Sequence, residues 1–475
     1  MKNKSLIYSI FILIISIFIY SFKFNDAIFY HPDLSRDFYE VLKITQGDLT
    51  LLGPKLTFGG LYTGPYYFYL FTPVFFIFKA NILSFYIFNM LLYIFAVVYF
   101  FNKSSSAFGL KKALIATCSL ILLPIYIIGS RNPSNAYSFI PLLTCLLTFI
   151  YFNKLKKKLT LTILGFLYGI IINFHFINIV LFPLIIALVW NKIEHKKNII
   201  FFLIGIFLSF LPLIFFEIKN NFVMIKNTFI DKSYLKWIDN KNIPGNPTGK
   251  KNVFSNIFFM SSELKSLTYI NALIIFAFLG IIGYFSKIKK TDWILFWGSF
   301  IALILFSSIV RFQFIPHYLF ALGFAIFLTL LIILLNTKYY WFILILIIIQ
   351  IIFFPKGFYK QPERKPERFE KAVLYVIKNH LINKNDKFNV IQITKEQYLA
   401  TLGFEYRFFL TKYGYKPLSE FYYPQSNILL VFSEIPNLNI IQFNSCEASQ
   451  FGKEYFKNAK KYNIDELSIY KIEKR

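Results

Sequence analysis

Near the start of the chain, His31-Pro32-Asp33-Leu34-Ser35-Arg36-Asp37 sets two carboxylates and a guanidinium at close spacing. Asp33 and Asp37 are four residues apart, so on a helix they share a face with Arg36 beside them. A carboxylate held this way suits a general base acting on a hydroxyl, and an arginine fork suits a phosphate. The pair also suits two oxygen ligands of a divalent ion such as Mg or Mn. A purely structural reading fits Asp33 as well, since acids favour helix starts. Downstream, Gly53-Pro54-Lys55 and Gly59-Gly60-Leu61-Tyr62-Thr63-Gly64-Pro65-Tyr66-Tyr67 add a lysine and glycines that permit tight turns and close ligand approach. Arg131, His175, Glu217, Arg311 and His317 complete the conspicuous polar groups.

Long apolar runs flank this stretch on both sides. The chain has 475 residues, 56% hydrophobic and 16% charged, and runs of membrane-spanning length recur from residue 6 to 354. A net charge of +27 raises the question of nucleic acid. Lysine clusters in cytoplasmic loops, against anionic headgroups, are the simpler explanation, so no nucleic-acid partner is expected. Cys118, Cys145 and Cys446 have neither CxxC spacing nor the pattern of a disulfide framework. Lys2 and Lys4 precede an apolar run to Phe22 without a small-residue cleavage site, which predicts a retained signal anchor.

The lysines set the topology. With Lys2 and Lys4 inside, the span 6–22 delivers Asp33 outside. Lys103, Lys111 and Lys112 must return inside, which leaves room for one crossing, 82–101. The short run 66–78 is therefore expected to lie along the surface or to dip in and return. The spans 110–128, 136–151, 159–172, 177–190, 198–216, 268–285, 293–310, 316–335 and 339–354 follow, about eleven in all. The acids, histidines and lone arginines then fall on one face, although only the lysines fixed the sides. Asp33, Arg36, Asp37, Lys55, Arg131, His175, Glu217, Arg311 and His317 are accordingly expected around one cavity beneath the extracytoplasmic surface.

Composition changes after residue 355, where Gln361-Pro362-Glu363-Arg364-Lys365-Pro366 reads as a linker. Beyond it, helices are predicted at 369–381, 396–413 and 451–462. Strands are predicted at 388–393, 428–432, 440–443 and 467–472. The expected organisation is a membrane domain over 1–355, with outer loops at 23–81 and 217–267, and a small extracytoplasmic α/β domain over 356–475.

The motifs resemble a known family. Asp33-Leu34-Ser35-Arg36-Asp37, then Leu52-Gly53-Pro54 and the run from Gly59 to Leu70, is similar to the first outer loop of bacterial glycosyltransferase family 39 proteins. These are GT-C class relatives of protein O-mannosyltransferases and lipid A aminoarabinose transferases. Ser130-Arg131-Asn132-Pro133-Ser134, Asn173-Phe174-His175-Phe176, Leu211-Pro212 through Glu217, and Arg311 through Pro316-His317-Tyr318 resemble later segments in the same order.

The resemblance implies a GT-C fold with first-loop juxtamembrane helices. It also implies a polyprenyl-phosphate-linked sugar donor and a lipid, glycan or protein acceptor, with transfer on the outer face of the inner (plasma) membrane. It casts Asp33 as the catalytic acid residue of the first loop, with Asp37 beside it, and Glu217 as acidic or acceptor-side. Arg36, Lys55, Arg131, Arg311 and His317 become candidates for the donor phosphate, and His175 and Tyr66 for the acceptor or cavity. The chain departs from the family at Thr63-Gly64, where aminoarabinose transferases carry a lysine before the proline, and at Lys219-Asn220, where Arg-His is common. A transporter or flippase of lipid-linked glycans would place polar residues within spans instead. A glycan polymerase or ligase would share the outer loops.

Overall fold

The structure is a computed structural model that describes residues 2–56, 60–231, 252–309, 316–395, 402–435 and 437–474. The chain divides into two compact units. One comprises Met1–Phe24, Thr50–Leu70 and Phe85–Tyr359, the other Asn25–Leu49, Phe71–Ser84 and Lys360–Arg475.

The first unit is helical, as apolar chain must be where water cannot satisfy the backbone. Among the described residues, five helices are long and apolar enough to cross a membrane: Lys4–Ser21, Ile82–Phe108, Asn135–Phe152, Lys290–Ser308 and His317–Asn336. Three further pairs are bent. Leu110–Ile121 meets Pro124–Ser130 at 61°, Lys196–Ser209 meets Leu211–Lys219 at 48°, and Val253–Thr268 meets Ala272–Phe285 at 86°. In the first two, a proline just past the break, Pro124 or Pro212, cannot supply the amide that would continue the ladder. The chain is thus a multi-pass helical membrane protein. Eleven crossings would require Lys158–Phe174, Phe176–Lys192 and Phe342–Ile352 to span as well. Tyr66–Ile77, with twelve residues, rises about 18 Å, well short of the hydrocarbon thickness.

The outer loop is expected to run to residue 267. Its last part, Val253–Glu263 and Lys265–Thr268, is helical. The Asn252 side chain caps the start by accepting from the Ser255 amide at 2.7 Å. Tyr269, at φ +65°, ends the helix, and Asn271 caps the next.

Two devices hold the unit together. Phe320 through Leu335 is buried on every side, so this helix forms the core of the bundle. Lys158–Phe174 lies against Ile199–Ser209 at backbone distance. A Cβ on Gly165 would stand 1.9 Å from the Phe202 carbonyl oxygen, and one on Gly205 would stand 2.1 Å from that of Thr162. At the lysine-rich ends, fully buried Asp292 accepts from the Tyr151 hydroxyl at 2.6 Å and from the Asn336 amide at 3.3 Å. Asn336 also donates to the Tyr151 oxygen at 2.8 Å. Asp292→Ala leaves the buried Tyr151 hydroxyl without its acceptor, while Asn336 keeps its bonds to Tyr151 and to Ile332 O, so a loss of about 1–3 kcal/mol of stability is expected. Thermal unfolding in detergent measures it.

In the second unit, β1 (Phe388–Ile393), β2 (Ile428–Ser433), β3 (Lys460–Ile464) and β4 (Leu467–Glu473) form a sheet in the order β1-β2-β4-β3. β1 and β2 run parallel, while β2–β4 and β3–β4 are antiparallel. The expected strand at 440–443 is a 3-10 turn: Ile440 enters the core and Phe443 packs against it, while Ile441 between them is 61% exposed. The expected helix at 451–462 is instead a short helix Cys446–Phe451 capped by Ser445, a 3-10 segment, and β3.

The helix Pro32–Thr45 belongs to this unit rather than grouping with the membrane helices, as the expected boundary at 355 had it. It packs on Phe404–Lys412. The cause is its stripe of buried residues, Leu34, Phe38, Val41 and Leu42 among them. Tyr30 and Phe38 meet Phe408 at 6.5 and 6.3 Å between ring centroids, and Tyr30 meets Phe369 at 5.6 Å.

Candidate active site

The candidate residues are distributed over both units, and each group has its own geometry. In the second unit, the helix of Asp33 begins at Pro32, whose missing amide costs nothing at that position. His31 Nδ1 caps it, accepting from the Leu34 amide at 3.4 Å. The Asp33 side chain is 78% exposed and that of Asp37 is 1% exposed. Arg36 lies between them. Its Nη1 donates to Asp33 Oδ1 at 3.2 Å, and its Nη2 and Nε donate to Asp37 Oδ1 at 2.8 and 3.1 Å. Asp37 therefore orients Arg36, and Asp33 offers the open carboxylate.

In the first unit, four connections meet. The loop from Thr50 to Tyr66 folds back on itself, with the Gly53 amide donating to Thr63 O at 2.8 Å and the Thr63 amide to Pro54 O at 3.1 Å. Lys55 pairs across it with Tyr62 and is exposed. A Cβ on Gly64 would lie 2.2 Å from Asn173 Oδ1, so only glycine fits that approach. Tyr67 donates to the Pro133 carbonyl and sets its ring 5.6 Å from Phe174. Asn135 donates to Phe174 O at 3.0 Å. His175 and His317 then face each other ring to ring, with centroids 5.4 Å apart. Tyr318 is 5.2 Å from His175, and Tyr137 is 4.5 Å from Phe320. Burial pushes the His175 imidazole down to about 3, which keeps it neutral. Its Nδ1 and the Oδ1 atoms of Asn132 and Asn173 are buried without a partner among the described residues.

Other candidates are placed differently. Arg131 was expected at a phosphate, yet it donates to the carbonyls of Tyr20 and Phe22 at 2.9 Å each and of Lys23 at 3.2 Å. It closes the C-terminal end of the first span, where helix carbonyls lack intrahelical partners. Glu217 is 6% exposed, and its carboxylate accepts from the amides of Met224 and Ile225 at 3.0 and 2.9 Å, capping the turn that follows. Tyr66 sets its ring edge-on to Phe166 at 5.8 Å. Arg311 and Gly59 lie outside the described residues, as does the Pro244-Gly245-Asn246-Pro247-Thr248-Gly249 stretch of the outer loop, whose composition reads as turns.

Neither a protein-family profile nor a curated protein matches the chain. Solved structures do. ArnT from Cupriavidus metallidurans bound to undecaprenyl phosphate aligns over 97% of this chain and 97% of that chain, at TM-score 0.62 and 9% identity. Its apo state aligns over the same shares at TM-score 0.63 and 9% identity. The chain has the GT-C fold. A looser likeness, at TM-score 0.47 and 9% identity over 95% of this chain and 71% of that chain, is to the archaeal oligosaccharyltransferase AglB of Archaeoglobus fulgidus.

Sequence reasoning did not single out Asn132, Asn173, Tyr137 or Tyr318, which the structure adds as candidates. Their signal was an amide or phenol beside a motif residue at a span end. The alternative reading of Asp33 and Asp37 as Mg or Mn ligands does not fit. Arg36 already bridges the two carboxylates. Among the described residues, no group of three or more His, Cys, Asp or Glu side chains could hold an ion.

The first turn of the Asp33 helix carries two opposed titrations. Desolvation lowers His31 from 6.5 to about 4, outweighing the pull of Asp33. Below 6.5 the unfolded chain binds a proton that the folded one refuses, so stability falls with pH down to about 4. Burial raises Asp37 from 3.8 to about 6 against the pull of Arg36. Below 6 the folded chain binds a proton that the unfolded one does not, so this contribution grows as pH falls and is lost as pH rises through 6. In the native protein the two slopes largely cancel between pH 4 and 6. Asp37→Asn is expected to expose acid weakening of about 2 kcal/mol across that window. His31→Asn, which keeps a capping acceptor, is expected to show the reverse slope. Melting in detergent at pH 4.5, 6 and 7.5 reads both.

Proposed function

We propose that the protein is a membrane glycosyltransferase. It moves a sugar from a polyprenyl-phosphate donor to a hydroxyl of a lipid, glycan or protein acceptor on the outer face of the cytoplasmic membrane. The Asp33 carboxylate takes the proton of the acceptor hydroxyl. The acceptor oxygen bonds the anomeric carbon while the carbon–oxygen bond to phosphate breaks, and polyprenyl phosphate leaves with the electron pair. Arg36, Lys55, Arg311 and His317 are assigned to the donor phosphate, and His175 and Tyr66 to the sugar or acceptor. The C-terminal segment, 356–475, is assigned to the outside.

The observation that carries this reading is the likeness to ArnT across nearly the full length of both chains, with an open carboxylate at the start of the first-loop helix. The known lipid ligand of that relative is what suggests a polyprenyl phosphate here. Mass spectrometry of surface glycans, lipids and proteins from cells with and without this chain tests it. The expected result is the loss of one sugar increment from one class of acceptor. An unchanged inventory, or donor lipid accumulating on the inner leaflet with no transfer by the purified protein, would overturn it and favour a flippase.

A further inference from the structure

At the end of the first span lies a groove of about 420 Å³, lined by Phe18, Ile19, Phe22, Phe354, Lys356 and Tyr359. Its walls are aromatic and fixed. Tyr359 meets Phe22 edge-on at 5.6 Å, stacks on Phe354 at 5.5 Å, and donates its hydroxyl to Ile19 O at 2.9 Å. The Arg131 guanidinium sits 4.8 Å from the other side of this assembly, at the Tyr359 ring, and holds the Tyr20 and Phe22 carbonyls. The rim is cationic. Lys356 lines the groove and is exposed, and Lys23 Nζ stands 6.0 Å from the Phe22 ring and is also exposed. Among the described residues, no acid lines the groove. An apolar trough with ammonium groups at one end matches a hydrocarbon chain with an anionic head.

We propose that the groove binds one anionic membrane phospholipid. An acyl chain lies along Phe18, Phe22 and Phe354, and the phosphate sits at Lys23 and Lys356. The neighbours favour a bulk lipid over the sugar donor. Phe18 is 67% exposed and Phe353 66%, so the trough opens on lipid-facing side chains. Its charged groups among the described residues are cations, Lys356 and Lys23 at the rim and Arg131 at the Tyr359 ring, which attract a phosphate but cannot accept from sugar hydroxyls. This inference is independent of the transferase reading and requires only that the protein sits in a membrane.

The test is native mass spectrometry of the full-length protein titrated with phosphatidylglycerol, phosphatidylcholine and a polyprenyl phosphate of matched concentration. Wild type is expected to retain one phosphatidylglycerol about tenfold or more over phosphatidylcholine, since each lysine contributes about fivefold. K23Q/K356Q is expected to lose that preference while keeping its helix content and melting temperature, because both lysines are exposed. Soluble glycerophosphoglycerol is expected not to compete, as it lacks the chain. Equal retention of the two phospholipids, an unchanged preference in the variant, competition by the headgroup alone, or displacement of the retained phosphatidylglycerol by polyprenyl phosphate would each overturn the proposal.

Discussion

Asp33→Asn is expected to cut sugar transfer about a hundredfold or more while leaving the protein folded and inserted. The size follows from the role. An amide cannot take the proton of an attacking hydroxyl, so the whole contribution of the base is lost. The retained fold follows from the surroundings. The Asp33 side chain is 78% exposed and makes one contact, to Arg36 at 3.2 Å, which Asp37 holds independently at 2.8 Å. Breaking an exposed pair of this kind costs about 1 kcal/mol or less. Asp33→Glu keeps the carboxylate but moves it by a methylene, and a displacement near 1 Å also costs about a hundredfold. The pair of variants therefore separates chemistry from position. The assay is transfer of labelled sugar from polyprenyl phosphate by protein in liposomes, with size-exclusion profile and melting temperature as controls. Near-normal activity in Asp33→Asn would remove the base assignment.

What could be read from the residues divides along a physical line. Helices announced themselves because apolar runs of spanning length have few alternatives, and Lys4–Ser21, Ile82–Phe108 and His317–Asn336 lie where those runs predict them. Lysine clusters put His175 and His317 on one side although 141 other residues separate them, and their rings meet at 5.4 Å. Partner choice was not legible. The buried stripe on Pro32–Thr45 states that the helix needs an apolar mate, and nothing local names Phe404–Lys412 as that mate. Arg131 shows the same gap. Its charge suggested an anion, but a guanidinium serves three carbonyls equally well, and only coordinates distinguish the two. The helix at Val253–Glu263 is hard to see in the sequence because serines and an asparagine interrupt its apolar residues; the fold uses Asn256 and Ser261 as hydrogen-bond partners, and Asn252 caps its start.

Arg364→Met is expected to destabilise the second unit by about 3–5 kcal/mol, the range for removing one partner of a buried ion pair. Arg364 Nη2 contacts Glu405 Oε1 at 2.6 Å and Nη1 contacts Glu434 Oε1 at 2.7 Å, with those carboxylates 0% and 6% exposed. Burial already pushes the Glu405 carboxyl upward against the pull of Arg364. Without the guanidinium, two acids face each other's surroundings with no counter-charge. The backbone of this residue also joins the first-loop segment, its carbonyl accepting from the Tyr30 amide at 2.9 Å, one residue before His31 caps the Asp33 helix; Met keeps that carbonyl, so the effect on the helix comes from the backbone shifting once the acid cluster is unpaired. Loss of Arg364 should therefore speed hydrogen exchange both in Phe388–Ile393 and in Pro32–Thr45, which share this unit. Neutralising the acids as well, in R364M/E405Q/E434Q, is expected to restore most of the stability, because the penalty comes from unpaired charge rather than from lost attraction. If R364M melted with wild type, or if the triple variant were no better than the single one, the cluster would have no part in holding the Asp33 helix in place.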